Sequence, residues 1–596
     1  MTLAQIDTDA ESRTVRRSVE VGPNRDYAVG VLLVVAANLI LIWLFFDKAW
    51  IPSDDGHYVH VAERISQGEV LNADVEELHP GYVHFIHAWS LEIFGDRIVS
   101  LRYPLMALMA IQSLLTHAIF RQAGVLVATV AAITMSAIGT FQIANPTTGL
   151  YALGATVAIT YLLQRTSPES RHRALSIGAL LGLVFLFRQL TAVFVAMGVL
   201  TFLMVERRPE PQRSVSSSGP RLVLAASLVG LVGYLLTSTD LTAALLFGCY
   251  PILILIWAFS HTTIGTRDLG ILLSRLAFGA AGSALPLVGY HVFHGSVRAW
   301  ARDTFVRSLS IGELEHISTG RYVWDIGLRS INELLFGSII ARLNAVYWIA
   351  LLVVAFAIGR SLYGRLRHRS QWGVPTEYAL PFVAVFYALV SVFNQIPFYL
   401  YLSAGLSIVA GLWLFVGVES ISEGVGVTKR STRSVVGVAL ALSVVAATFH
   451  AGQPYTRTYS DLVSGQRVDL IRSELPRLGL WIDPQEEALY SELLQLIDSN
   501  TQANDVLFTV PNNADLYFLA RRANGFRLFN PTISILDDSE LRDFVAEFES
   551  VNPAMIVHDT RSAYNTDMTA ELIDRITIDF GIVMTIDHFE LYVREP

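Results

Sequence analysis

Apolar positions in this chain come in long runs rather than in short alternations. The first, 27–46, is about 20 residues without a charge, enough to span a bilayer and too long for a typical signal h-region. Further runs lie at 98–120, 123–144, 147–164, 174–188, 189–205, 221–238, 241–259, 270–293, 344–362, 377–394, 398–418 and 434–450. The pattern predicts a polytopic α-helical membrane protein of about thirteen spans. Beyond residue 470 the pattern changes. Short β-rich runs at 506–510, 554–558 and 582–593 alternate with helical periods at 485–499, 537–549 and 567–577. That alternation predicts a small soluble α/β domain, with a hairpin turning at Asp587-His588.

The basic residues orient the spans. Arg13, Arg16, Arg17 and Arg25 precede the first one and place the N-terminus in the cytoplasm. Arg171 and Arg173 lie before the run 174–205, and Arg207, Arg208 and Arg213 lie after it. Both flanks belong inside, so this run goes out and returns, with Arg188 and Gln189 at the outer turn. Arg360, Arg365, Arg367 and Arg369 fill another inner loop. The expected organisation is a cytoplasmic tail at 1–26 and a transmembrane domain at 27–450 with long outer loops 47–97 and 294–343. An extracytoplasmic α/β domain follows at 451–596, with the C-terminus out. The expected location is the inner or plasma membrane.

Composition agrees with a membrane protein. The chain is 53% hydrophobic and 16% charged, against about 25% charged for a typical soluble domain. The net charge is −9; basic residues cluster in short loops between apolar segments and acids crowd roughly the last 120 residues, which is not a nucleic-acid binder's pattern. Cys249 is the sole cysteine, so neither an intrachain disulfide nor a thiolate metal cluster can form.

The chemistry-bearing residues concentrate just after the first span. Asp54 and Asp55 sit where a helix meets water. A carboxylate there can act as general base or hold a cation; equally, Ser53 or Asp54 can cap a helix running from Gly56 to Ser66. His79-Pro80-Gly81 forces a turn, followed by Tyr82, His84, Phe85, His87 and Trp89. The aromatics suit an interfacial anchor, and the histidines have no specific zinc spacing. Arg102 and Arg188 stand beside apolar helices on the outer face, where guanidinium suits phosphate or snorkels to headgroups. Arg302 and Arg307, in the second outer loop, can meet a charged substrate or simply be solvated.

The order of these parts resembles the membrane-embedded glycosyltransferases of the GT-C class. It is most similar to the bacterial branch related to protein O-mannosyltransferases and the lipid A aminoarabinose transferase. The matching pieces are a first span, then Asp54, Asp55, Gly56 and Tyr58, the His-Pro-Gly turn, IFGDRIVSLR and GLVFLFRQ. The specific part covers residues 27–205; beyond it the likeness is one of layout. The resemblance implies a sugar donor on polyprenyl phosphate and a glycan, lipid or protein acceptor attacking from the outer side. It implies Asp54, or its neighbour Asp55, as base. Arg188, with Arg102, would bind donor phosphate. Tyr58, His79, Arg302 and Arg307 would bind substrate. Some relatives carry a further acid in the next outer loop. Here Asn145-Pro146-Thr147-Thr148 has none, so no metal or cofactor is expected, although a divalent cation stays open. Two other readings share the layout: a polysaccharide polymerase or ligase, and a lipid-linked sugar transporter. Against transport, no inverted repeat and no mid-span acid is evident.

Overall fold

The computed structural model describes residues 25–48, 50–138, 144–208, 218–310, 322–369, 373–393, 398–416, 470–562 and 564–594. Helix α1, Arg25–Phe45, opens the described chain. Two amphipathic helices follow in the first long loop: α2, Pro52–Ser66, and α3, Tyr82–Phe94. Pro52 starts α2 because its fixed φ suits the first helical turn. The N-cap is Ile51, without a side-chain cap bond. Ser53 and Asp54 therefore lie inside the first turn, which corrects the expectation that one of them caps a helix beginning at Gly56. Asp55 instead reaches back to accept the Ile51 N–H at 2.8 Å. At the His-Pro-Gly turn, Gly81 has φ 101°, and a Cβ there would lie 2.4 Å from Leu71. Only glycine fits that backbone and that space.

Among the described residues seven helices are long and apolar enough to cross a membrane. They are α1, Ile98–Ala123, Ser218–Ser238, Leu241–Ser260, Thr266–Phe293, Ala345–Leu366 and Tyr399–Val416. Shorter apolar helices occupy Val125–Ile138, Gln189–Val205 and Thr376–Val392. The chain is thus a multi-pass membrane protein. The expected span at 434–450 lies outside the described residues, as does most of the 1–26 tail. The run 174–205 is two helices, α4 (Arg171–Phe187) and α5 (Gln189–Val205). Arg188 between them is extended, with φ −156° and ψ 108°. Arg173 at the start of α4 binds Glu206 just past α5 with two contacts of 2.7 Å. That buried pair brings the far ends together, so the helices form a hairpin with Arg188 at its tip.

The C-terminal part is a mixed sheet covered by helices, as its pattern predicts. Strands Ile471–Arg472 (β1) and Trp481–Ile482 (β2) pair antiparallel. Helix α6, Pro484–Asn500, leads into β3, Leu507–Val510, and α7, Ala514–Ala520. Helix α8, Asp538–Val551, precedes β4, Met555–Asp559. After helix α9, Asp567–Ile576, the hairpin β5 (Phe580–Ile586) and β6 (Phe589–Arg594) turns at Asp587-His588. The sheet order is β3-β4-β6-β5, with β3 and β4 parallel.

This domain packs directly on the first loop. One core joins Tyr58, Val59, Val61 and Leu71 to Leu507, Leu516 and Phe529. A Cβ on Gly56 would lie 2.3 Å from the Asp515 backbone nitrogen, so α2 and α7 touch where no side chain fits. Arg64 donates to the Phe526 carbonyl at 2.7 Å, and the Glu76 N–H donates to Arg527 at 3.1 Å.

Candidate active site

A cavity of about 430 Å³ lies where α2, the His-Pro-Gly turn, the α4–α5 hairpin tip and the C-terminal domain meet. Asp54, Tyr58, His79 and Arg188 all line it, so four residues singled out from sequence converge. Each is placed by a local device. Asp54 sits on the first turn of α2, where the helix dipole favours negative charge. Tyr58, one turn on, donates to Thr147 Oγ1 at 3.2 Å and so ties α2 to the Asn145–Thr148 loop. Arg188 is held at the hairpin tip by its neighbour: Gln189 Nε2 donates to the Leu78 and Thr304 carbonyls, each at 3.0 Å. The remaining wall includes Phe185, Leu190, Val193, Phe305 and Leu309, an apolar surface beside the polar one.

The electrostatics differ sharply between neighbours. Burial raises Asp54 to about 6, and the adjacent Asp55 charge adds to the rise while His57 opposes it. Arg188 is 4% exposed. Its guanidinium lies 4.5 Å over the Tyr399 ring, and among the described residues no carboxylate pairs with it. A buried arginine without a counter-ion, in a cavity, is a place for an anion.

Asp55 and Arg102 lie elsewhere. They pair with each other at 3.6 Å, both buried. Arg102 also donates to the Phe46 and Lys48 carbonyls at 3.0 and 3.1 Å. Neither lines the cavity, so Arg102 anchors the end of α1 to the start of α2 rather than facing a ligand. Arg302 and Arg307 are near the cavity but do not line it. Both meet Glu540 of α8, Arg307 at 3.1 Å, and Arg307 also binds Asp303 at 3.5 Å. They fasten the segment after Thr266–Phe293 to the C-terminal domain. The loop residues Glu313, Glu315, His316 and Arg321 lie outside the described residues.

The structure adds two acids that the sequence reading passed over, Glu76 and Glu77. Glu77 is fully buried and meets three imidazoles. His57 Nε2 lies 3.0 Å from Oε2, His79 Nδ1 2.8 Å from Oε1, and His84 Nε2 is in close contact with Oε2. Burial works to raise the Glu77 carboxyl, but His84 and His57 overcome it and hold it well below the usual range. For His57 burial disfavours charge, yet Glu77 raises its pKa. Glu76 meets no imidazole; it accepts the Asn530 N–H at 3.1 Å and lies 4.0 Å from Arg307, but burial outweighs both and pushes it up to about 7. The ligand atoms of His57, Glu77 and His84 lie within 4.8 Å of one another, a donor set of two imidazoles and one carboxylate that suits a zinc-like cation. The available signal was two acids one residue before His-Pro-Gly, in a stretch that also carries His57 and His84. Asn512, Asn530 and Tyr564 also line the cavity from the C-terminal domain.

Asp54, the buried Arg188 and an apolar wall thus share one cavity in a multi-pass membrane protein. Residues 78–237 match the family model of dolichyl-phosphate-mannose-protein mannosyltransferases. The resemblance read from the sequence thus has an independent counterpart over that segment, which includes the His-Pro-Gly turn and the Arg188 hairpin. No curated protein sequence matches the chain. Solved structures are similar to it, two of which follow. One is the ArnT of Cupriavidus metallidurans bound to undecaprenyl phosphate, at 13% identity and TM-score 0.37, covering 94% of this chain and 97% of the other. The second is the Archaeoglobus fulgidus oligosaccharyltransferase in complex with zinc and sulfate, at 13% identity and TM-score 0.43, covering 94% of this chain and 73% of the other.

Proposed function

We propose that this protein is a GT-C glycosyltransferase that moves a sugar from a polyprenyl-phosphate donor to an acceptor on the outer face of the membrane. The observation that carries the reading is the shared cavity of Asp54 and Arg188, with an apolar wall beside them. Arg188 binds the donor phosphate and stabilises charge as it leaves. The prenyl chain follows Phe185, Leu190 and Val193. The acceptor oxygen attacks the anomeric carbon as its proton passes to Asp54. The bond from that carbon to the phosphate oxygen breaks, and the electron pair leaves with polyprenyl phosphate. Asp54 then returns its proton to solvent. A base near the working pH is effective in this role, and the raised pKa of Asp54 supplies one. His57, Glu77 and His84 hold the turn beside the donor and can take a divalent cation there. The matched family model supports the transferase class.

Purified protein in liposomes, given radiolabelled polyprenyl-phosphate sugar and membranes as acceptor source, should release polyprenyl phosphate and label the acceptor. Movement of intact donor across the bilayer without bond cleavage would instead establish transport. A reporter fused after Pro596 should mature only outside the cytoplasm; cytoplasmic maturation would overturn the outer placement.

A further inference from the structure

A second cavity, of about 860 Å³, lies between the start of α2 and the C-terminal domain. It shares Ile51, Ser53, Asn512 and Tyr564 with the first cavity. The two spaces are therefore neighbours across one thin wall, and Asp54 stands just behind it. The lining is polar in a particular way. Asp483, Glu486, Glu492, Asp559 and Asp587 contribute carboxylates, against His588 and, among the described residues, no lysine or arginine. Two of these acids have local work: Asp483 caps α6 by accepting the Gln485 N–H, and Asp587 pairs with Arg561 at 2.9 Å.

Independent of the acids, buried polar atoms in the wall lack partners. Asn512 and Asn513 are 7% and 6% exposed, and Trp50 is 5% exposed. Among the described residues the Oδ1 atoms of both asparagines and the Trp50 Nε1 have no hydrogen-bond partner. Orphaned buried donors and acceptors are costly unless a ligand or water satisfies them. Two amide carbonyls and an indole N–H match hydroxyl groups, which both donate and accept. A phosphate entering here would face five carboxylates and, among the described residues of the lining, no lysine or arginine.

We propose that this second cavity admits the acceptor, and that the acceptor is a hydroxyl-rich, phosphate-free glycan whose nucleophilic hydroxyl reaches Asp54 past Asn512. The inference rests on the transferase reading above and adds the entry route and the chemical class of the acceptor. Lipid enters beside Arg188, and sugar hydroxyls enter beside Asn512 and Trp50.

The test uses the full chain in membranes that contain the native acceptor. Ala488 lines the second cavity and is exposed on α6. In a Cys249→Ser background, Ala488→Cys is modified with a polyethylene glycol maleimide. Labelled transfer to the acceptor should fall about tenfold or more, while hydrolysis of the donor by water keeps its rate. Transfer that survives the block would overturn this proposal alone. An unblocked enzyme that consumes no polyprenyl donor would overturn the transferase reading and this one with it. Periodate treatment of the membranes should abolish acceptance and protease treatment should not; the reverse would make the acceptor a peptide.

Discussion

The pH dependence of transfer tests the assignment of Asp54 most directly. The base must be ionised to take a proton. Burial, reinforced by the neighbouring Asp55 charge, raises Asp54 from 3.8 to about 6. At pH 5 a group of that pKa is roughly one-tenth ionised, whereas an ordinary carboxylate would be more than nine-tenths ionised. We therefore expect kcat/KM to be flat above about pH 7 and to fall to about a tenth of the plateau at pH 5. The same shift has the opposite sign for stability. A carboxyl whose pKa is raised on folding costs stability when ionised; that cost is relieved as pH falls through the folded value and is gone below the unfolded one, so Asp54 favours the fold at pH 5 relative to pH 7. Loss of rate without any Asp54-linked fall in the thermal midpoint is the expected combination. Asp55→Asn removes the neighbouring charge and should move the acid limb to lower pH. Asp54→Asn should remove the limb and reduce turnover about 10²–10⁴-fold. Initial rates across pH 4.5–8 on reconstituted protein measure all three. An acid limb centred below pH 5 in the wild type, or wild-type turnover by Asp54→Asn, would refute the reasoning.

Arg188→Ala should lower donor kcat/KM about a hundredfold, and Arg188→Lys should recover only part of it, because lysine keeps the charge but loses the planar fork; unchanged donor kinetics would return Arg188 to a packing role. Arg102→Met leaves Asp55 buried without its cation and should cost about 3 kcal/mol of stability, read as a lowered unfolding midpoint in detergent. Glu77→Gln withdraws the charge that His57, His79 and His84 share, so both the midpoint and zinc binding by calorimetry should drop; equal zinc binding would exclude that cluster as a cation site. Gly56→Val forces a side chain against the Asp515 backbone and should expose the C-terminal domain to limited proteolysis, with little change if the two parts are not docked there.

Local signals in the sequence were legible where physics is local. Charges on both flanks of 174–205 required a hairpin, and the Arg173–Glu206 pair closes it. Short β-rich runs after residue 470 gave all four strands of the larger sheet and the turn at Asp587-His588, because such runs bounded by turn residues are local signals. The short strands β1 and β2 and the helix α7 carry too few residues for any period to show. At α2 the propensity of Ser and Asp for caps pointed one residue class away from the true start, since Pro52 and the reach of Asp55 to Ile51 fixed it first.

What could not be read is who meets whom across the chain. Asp55 and Arg102 each looked like ligand-binding groups in isolation; together they neutralise one another in a buried joint, and only the survivor of each pair, Asp54 and Arg188, faces the cavity. Asn530 contacts Glu76 across 454 positions of sequence, and Arg64 reaches Phe526 across 462. No spacing rule anticipates such contacts, yet they decide the site's chemistry. By covering α2, the C-terminal domain withdraws solvent from the acids of the first loop, and burial is the largest cause of the raised Asp54 and Glu76 pKa values. A carboxylate pair at a membrane surface would be an ordinary solvated pair without that cover. In the proposed reaction the C-terminal domain is therefore part of the apparatus: it brings Asn512, Asn530 and Tyr564 to the cavity wall, and its cover over α2 raises Asp54 toward neutral pH.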